Sequence, residues 1–306
     1  MRPYFVAIVG AGPSGYFAAA SLLKFADSSV AAGGPDVHVD MLEMLPTPPF
    51  GLVRSGVAPD HPKIKTISAQ FEKTSLDERF RFFGNIRVGE HVQAQELAQK
   101  YDAVVYAIGG AQSDRPLGIP GEELEGSVAA VDFVGWYNAH PHFEDMAPDL
   151  STGRAIVVGN GNVALDVARI LVSDPPRELA KSDIADHALD LLHAKGVEEV
   201  VVIGRRGPLQ ATFTTLELRE LGDLEAMADV DVIVDPADFE SITDEQLEAA
   251  GKTVKLNIKV LRGYADTQPR GAKRRIVFRF QTSPIEIKGD GRVESVVLGR
   301  NELVDE

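Results

Sequence analysis

The chain has 306 residues, room for one large domain or two ordinary ones, and its 44% hydrophobic and 25% charged residues mark a globular composition. A net charge of −15 argues against a nucleic-acid or anionic-membrane partner, and no apolar run approaches the roughly 18 residues that cross a bilayer. The absence of cysteine excludes disulfides, cysteine-ligated metal or iron–sulfur centres and any dithiol relay, and a cytoplasmic setting is expected.

Tyr4–Val9 reads as a buried strand that runs into "GAGPSG" (10–15) and then into a helix-like stretch, "YFAAASLLKFA". After a small-residue loop, Val37–Leu42 reads as a second strand ending at Glu43. In residues 45–62, Pro46, Pro48, Pro49, Pro59 and Pro62 forbid regular structure. Ile64, Ile67 and Phe71 have helical spacing, so 64–73 is expected to be a helix. Phe80–Val88 resembles a strand pair, and 101–110 a buried strand ending in glycines.

Residues 109–126, rich in glycine and proline, form the best linker candidate, so the expected division is 1–108 and 109–306. Beyond it, "RAIVVGNGNVALDVARIL" (154–171) repeats the order strand, glycine turn, helix, and Val197–Ile203 is the next strand. Phe133, Trp136 and Tyr137 stand at helical spacing and are expected in a core. Asp244–Ala250 looks helical, with Thr243 as N-cap. From Arg275 onward apolar and polar residues alternate, and Asp290-Gly291 signals a tight turn. A two- or three-stranded antiparallel ribbon is expected there. The fold class is therefore α/β, with two Rossmann-like dinucleotide-binding domains and a small antiparallel ribbon.

The first glycine motif places Gly10, Gly12 and Gly15 at the G-x-G-x-x-G positions, between a strand and a helix as the motif requires. The first glycine makes the tight turn. The second leaves the backbone bare for a pyrophosphate, and the third lets helix and strand pack closely. Glu43, at the end of the next strand, can hold the ribose hydroxyls of FAD or NAD. The bland alternative is a glycine turn in an unrelated α/β fold, with Glu43 merely solvated.

The second motif, "GNGNVA", places Gly159, Gly161 and Ala164 at the same positions. Its next strand ends in Arg205 and Arg206, where the first site has an acid. A 2′-phosphate dianion accepts forked hydrogen bonds that guanidinium groups supply, whereas a carboxylate would repel it. The expected pair is FAD at the first site and NADP at the second. Two surface arginines at a strand end are the plain alternative.

With these motifs in place, the chain resembles the adrenodoxin-reductase-like ferredoxin–NADP⁺ reductases, particularly the actinobacterial type. The resemblance runs along nearly the whole chain and rests on "VAIVGAGPSG", "GLVRSGVAPDHPKIK", "FRFFGN", "SDRPLGIPGEEL", "FVGWYNAHP", "VVGNGNVALDVARIL" and "IGRRGPLQATFTTLELRE". It implies a flavoprotein that takes a hydride from NADPH onto FAD and passes single electrons to a ferredoxin-type iron–sulfur protein. It further implies that Ser14, Glu43, Leu52 and Val88 contact FAD. Arg115, Asn160, Gly161, Asn162, Val163, Arg205, Arg206 and Glu217 would contact NADP. His61 would lie near the flavin with Asp166 as its partner, orienting the nicotinamide or tuning the flavin environment; no metal is implied. An acidic ferredoxin would need a local basic face, for which the stretch from Lys259 to Arg279 is the candidate, a solvated ribbon surface being the alternative.

Members of that family continue further, returning to the flavin domain, whereas "LGRNELVDE" stands about where that return begins, so the FAD domain is expected to be incomplete. "TPPFGL" and the doubled Gly109-Gly110 are smaller departures. Two other functions stay open at this level: another NADPH-dependent two-nucleotide flavoenzyme, of monooxygenase type, or an NADP-binding module without competent flavin.

Overall fold

The computed structural model describes residues 1–46, 49–110, 115–227 and 229–302. Pro48, the second residue of "TPPFGL" among the expected loop prolines, and 111–114 of the linker candidate lie outside them. The chain divides into two compact units: Met1–Asp114 with Val134–Asp145, and Arg115–Phe133 with Met146–Glu306.

The first unit is built on a parallel sheet of four strands, β1 (Tyr4–Val9), β2 (Val37–Leu42), β3 (Phe80–Phe83) and β4 (Ala103–Tyr106), in the order β3-β2-β1-β4. Central parallel strands are covered on both faces, so they read as nearly continuous apolar runs. Ala7, Ile8, Val39 and Met41 are fully buried accordingly. The helix Pro13–Ala31 buries Tyr16, Ala19, Leu23 and Ala26, one face at three- and four-residue spacing. Tyr16 stacks on Phe71 and Phe80, with ring centroids 5.0 and 6.0 Å away.

Asp40 ties this sheet together. Almost fully buried on β2, it faces Arg81 across the β2–β3 register. Its carboxylate accepts two bonds from the Arg81 guanidinium, at 2.7 and 2.6 Å, and a third from the Tyr101 hydroxyl at 2.7 Å. Burial, together with that bond to Asp40, pushes the Tyr101 phenol up to about 12.

Three expectations for this unit need correction. The helix expected over 64–73 is two pieces, Pro62–Lys65 and Ser68–Ser75. Between them the Thr66 hydroxyl donates to the Lys63 carbonyl at 2.7 Å, a local bond that competes with helix continuation, and Ile64 is half exposed. Phe80–Val88 is not a strand pair. Pairing ends at Phe83, Asn85 turns the chain at φ 56°, and Val88 makes only an isolated bridge with Val92. The stretch 101–110 holds a four-residue strand that is not buried: β4 is a sheet edge, and Tyr106 is 54% exposed.

The second unit has its own four-stranded parallel sheet: β5 (Arg154–Val158), β6 (Glu199–Ile203), β7 (Val230–Ile233) and β8 (Arg274–Arg279), in the order β5-β6-β8-β7. β9 (Thr282–Lys288) and β10 (Ser295–Arg300) form a separate antiparallel pair. The residues from Arg275 were expected to enter the ribbon, but β8 lies between β6 and β7. Ile276 and Phe278 are buried from both sides there, and the flanking arginines only imitate a solvated alternation. The turn at Asp290-Gly291 does lie between the two strands of the ribbon, with Gly291 at φ 75°. The helix Asp244–Ala249 begins with the expected Thr243 cap, closed as a capping box by Gln246. Phe133, Trp136 and Tyr137 are buried as expected. Among the described residues no helix is long and apolar enough to cross a membrane.

The helix Asn162–Val172, which follows the second glycine turn, is finished by two cations. Arg274 donates to the Val172 carbonyl and Lys195 to the Ser173 carbonyl, each at 2.7 Å. Burial, aided by nearby Arg274, pushes the Lys195 ammonium down to about 8. The unfolded chain holds that proton more tightly, so stability should rise as pH climbs from about 8 toward the ordinary lysine range. The gain is expected to be at most about 3 kcal/mol. Denaturant unfolding at pH 7.5 and 9.5 should show it in the wild type and lose it in Lys195→Met.

Candidate functional site

In the first unit the glycine turn is required by close backbone approaches. Gly10 sits at φ 105°, and a Cβ there would collide with the Ala107 carbonyl on the neighbouring β4 segment. A Cβ at Gly15 would meet the Gly10 carbonyl, so the third glycine does bring helix and strand together. Gly12, the expected point of pyrophosphate approach, also faces Gly51. A Cβ on Gly51 would lie 2.9 Å from the Gly12 Cα, and the Phe50 amide donates to the Ala11 carbonyl at 2.9 Å. The proline-rich loop therefore packs on the turn.

Glu43 stands just past β2, almost completely buried. One of its carboxylate oxygens accepts from the Ala11 amide inside the glycine turn at 2.9 Å, and the other from the Leu45 amide at 3.0 Å. A carboxylate has about four acceptor positions. Glu43 thus fixes the turn and retains capacity for two ribose hydroxyls. The helix that follows starts at Gly12 without a side-chain cap, which leaves its first amides to an anion. Ser14, in that first turn, and Leu52 are exposed, while Val88 is half-buried. His61 is half-buried at the N-terminus of Pro62–Lys65.

The second unit repeats the arrangement with the opposite charge. β5 runs into Gly159, at φ 143°, and the helix Asn162–Val172 starts at Gly161, again without a side-chain cap. At the end of β6 the arginines border a cleft of about 410 Å³, which Gly159, Asn160 and Thr212 also line. Both arginines are exposed, and among the described residues neither guanidinium has an ion-pair partner. Gly204 is a glycine because a Cβ there would overlap the Asn160 side chain. Asn160 accepts on its carbonyl from both the amide and the hydroxyl of Thr212, at 2.9 and 3.0 Å, and its own Oδ1 is buried with no hydrogen-bond partner among the described residues. Asn162 accepts from the Thr214 amide at 2.7 Å, so its Oδ1 holds the 212–214 loop.

Asp166 is buried in the same helix and pairs with Arg169 at 2.6 Å. Buried Glu217 brings a carboxylate oxygen within 4.8 Å of one from Asp166. Burial holds the Arg169 guanidinium below its ordinary range, while Glu220 and Glu217 oppose that shift. His61 belongs to the first unit and Asp166 to the second. Arg115 and Val163 are both exposed, each within the second unit.

The stretch from Lys259 to Arg279 is not one free basic face. Lys273 faces Glu198 at 3.7 Å, Arg275 pairs with Glu199, and Arg270 lies 3.8 Å from Asp231. Arg274 donates to the helix end, and Arg262 sits over the Phe239 ring at 5.7 Å. The opposing acids, Glu198 just before β6, Glu199 on β6 and Asp231 on β7, are distant in sequence. Gln210, Thr282 and Ser283 also line the cleft but stand in no motif position of the dinucleotide fingerprint. For Gln210 the signal was its place inside "GRRGPLQATFTT"; Ser283 carries none.

Residues 4–305 match the family described as pyridine nucleotide-disulphide oxidoreductase. The chain belongs to that family. Its 306 residues contain no cysteine, so no dithiol of this stretch can serve a disulphide reaction. Among individual relatives, NADPH-ferredoxin reductase FprA of Mycobacterium tuberculosis is 69% identical over the whole chain. The mitochondrial NADPH:adrenodoxin oxidoreductase of Arabidopsis thaliana is 47% identical over 79% of the chain and 49% of its own length. The solved structure of M. tuberculosis FprA in complex with NADPH aligns with the whole chain at a TM-score of 0.94 and 68% identity. The resemblance to the adrenodoxin-reductase-like enzymes is thereby borne out. The chain spans about 65% of the length of the FprA relatives it matches.

Proposed function

We propose that this chain carries the two nucleotide sites of an NADPH-dependent flavoprotein reductase, FAD at the first and NADP(H) at the second, and that the electrons go to a ferredoxin-type iron–sulfur protein. The observation that carries the proposal is the exchange of charge at equivalent positions. Glu43 follows the strand beside the first glycine turn, and Arg205 and Arg206 follow the strand beside the second. In this reading residues 1–108 are the FAD-binding portion and 109–306 the linker and NADP-binding portion.

The residues fit both groups. Glu43 keeps acceptor capacity for a ribose, and both glycine-turn helices begin without side-chain caps. The second site offers two guanidinium groups without an ion-pair partner among the described residues, and the Asn160 Oδ1, which has no hydrogen-bond partner among them. When bound, NADPH supplies a hydride and FAD converts a two-electron input into single-electron steps. The protein contributes binding, orientation and charge. Ser14, Leu52 and Val88 are assigned to FAD, and Arg115, Asn160 to Val163 and Glu217 to NADP. His61 and Asp166 are assigned to orienting the nicotinamide or tuning the flavin environment, on the strength of the family motifs alone. A cytoplasmic setting belongs to the same proposal. Docking of the partner through Lys259 to Arg279 has weaker support, since Arg270, Lys273 and Arg275 already face acids of their own unit.

The test is NADPH-driven reduction of a purified ferredoxin, followed with a small dye acceptor in parallel and with flavin released by acid as a measure of loading. Flavin-containing protein should reduce both acceptors with NADPH. A flavin-loaded protein that oxidises NADPH in step with substrate oxygenation would point instead to a monooxygenase. A colourless protein that binds NADPH and reduces neither acceptor would contradict the proposal.

A further inference from the structure

The three carbonyls of the arginine loop are all held from outside the strand that carries it. The Gly204 carbonyl accepts from the Thr282 amide at 2.9 Å, and the Arg206 carbonyl from the Gln281 amide at 3.0 Å. Gln281 reaches that position in the left-handed region, at φ 50°, a conformation a non-glycine residue keeps only when its surroundings impose it. The middle carbonyl, of Arg205, is held by a side chain: Asn301 Nδ2 donates to it at 2.8 Å. The same Nδ2 donates to the Ser283 hydroxyl oxygen at 2.8 Å, while the Asn301 amide donates to the Gln281 carbonyl at 2.7 Å.

We infer that Asn301 is a specificity-determining positioning residue for the second nucleotide site, aiming Arg205 and Ser283 together at a 2′-phosphate. An exposed guanidinium on a flexible stem loses entropy when it binds, and fixing the backbone beneath it reduces that loss. Ser283 lines the cleft beside Arg205. With its oxygen accepting from Asn301, its hydroxyl proton is directed to another acceptor, and a phosphate oxygen in the cleft is one. Asn is suited to the task because one NH₂ serves both acceptors, whereas the isosteric Asp has no hydrogen to offer and would oppose the Arg205 carbonyl.

This inference rests on the NADP reading of the second site, and ligands that differ only in the 2′-phosphate test it. Binding of adenosine 2′,5′-bisphosphate and of adenosine 5′-monophosphate would be measured by calorimetry for wild type, Asn301→Asp, Asn301→Ala and the double variant Arg205→Ala/Arg206→Ala. Both Asn301 variants should bind the bisphosphate about tenfold more weakly and the monophosphate within about twofold of wild type. Unchanged bisphosphate binding would overturn the role of Asn301. So would an equal loss for both ligands, which marks general damage to the cleft. If the double arginine variant keeps the bisphosphate preference, the NADP reading itself fails. If it loses the preference and the Asn301 variants do not, only the positioning role falls.

Discussion

Replacing Arg205 and Arg206 together by alanine should cost the protein its preference for NADPH over NADH by about a hundredfold, through weaker NADPH binding with NADH affinity nearly unchanged. Charge-assisted hydrogen bonds contribute roughly 1.5–3 kcal/mol each, and two guanidinium groups could nominally supply twice that. Both side chains are exposed, so solvent and salt take back part of it, and the lower end decides the expectation. The wild-type preference should therefore shrink as ionic strength rises, and that of the double variant should not. Steady-state kinetics with both nucleotides at two salt concentrations separates the two effects. A loss that falls on kcat for both nucleotides would mean that the arginines act elsewhere.

Asp40→Ala should destabilise the first unit by about 3 kcal/mol, the cost typical of removing one partner from a buried ion pair. Asp40 accepts two bonds from Arg81 on the neighbouring strand β3 and one from Tyr101, which precedes β4, so its loss releases both attachments together. Arg81 can recover water, because its side chain is 59% exposed, which keeps the cost toward the low end of that range. Tyr101→Phe should cost only about 1 kcal/mol, since it deletes one bond and leaves the Arg81 pair intact. Denaturant midpoints of the two variants check the ranking. Equal midpoints would show that the Arg81 pair adds nothing beyond the tyrosine bond.

The features legible from sequence were those whose cause is local. Each glycine turn, the strand before it and the helix after it fall within one short window, and Glu43 and the arginine pair stand a single strand away. Other features depended on partners far along the chain. β8 passed for a ribbon strand because only β6 and β7 on either side make it central. That Glu198, Glu199 and Asp231 face three cations of the basic stretch was equally hidden, because they lie 39 or more residues from them. The helix over 64–73 failed on a side-chain bond, from Thr66, that hydrophobic spacing does not register. Ser283 in the cleft and Asn301 behind it had no sequence signal, since only the β9–β10 pair brings Asn301 beneath Arg205, 96 positions away.

Calorimetric titration of the unmodified chain with NADPH and, separately, with NADH tests most directly whether opposite charges at the two strand ends sort the nucleotides. One NADPH per chain is predicted, with NADH bound about a hundredfold more weakly at low salt. Equal affinity for the two nucleotides would contradict the assignment of Arg205 and Arg206 to the 2′-phosphate.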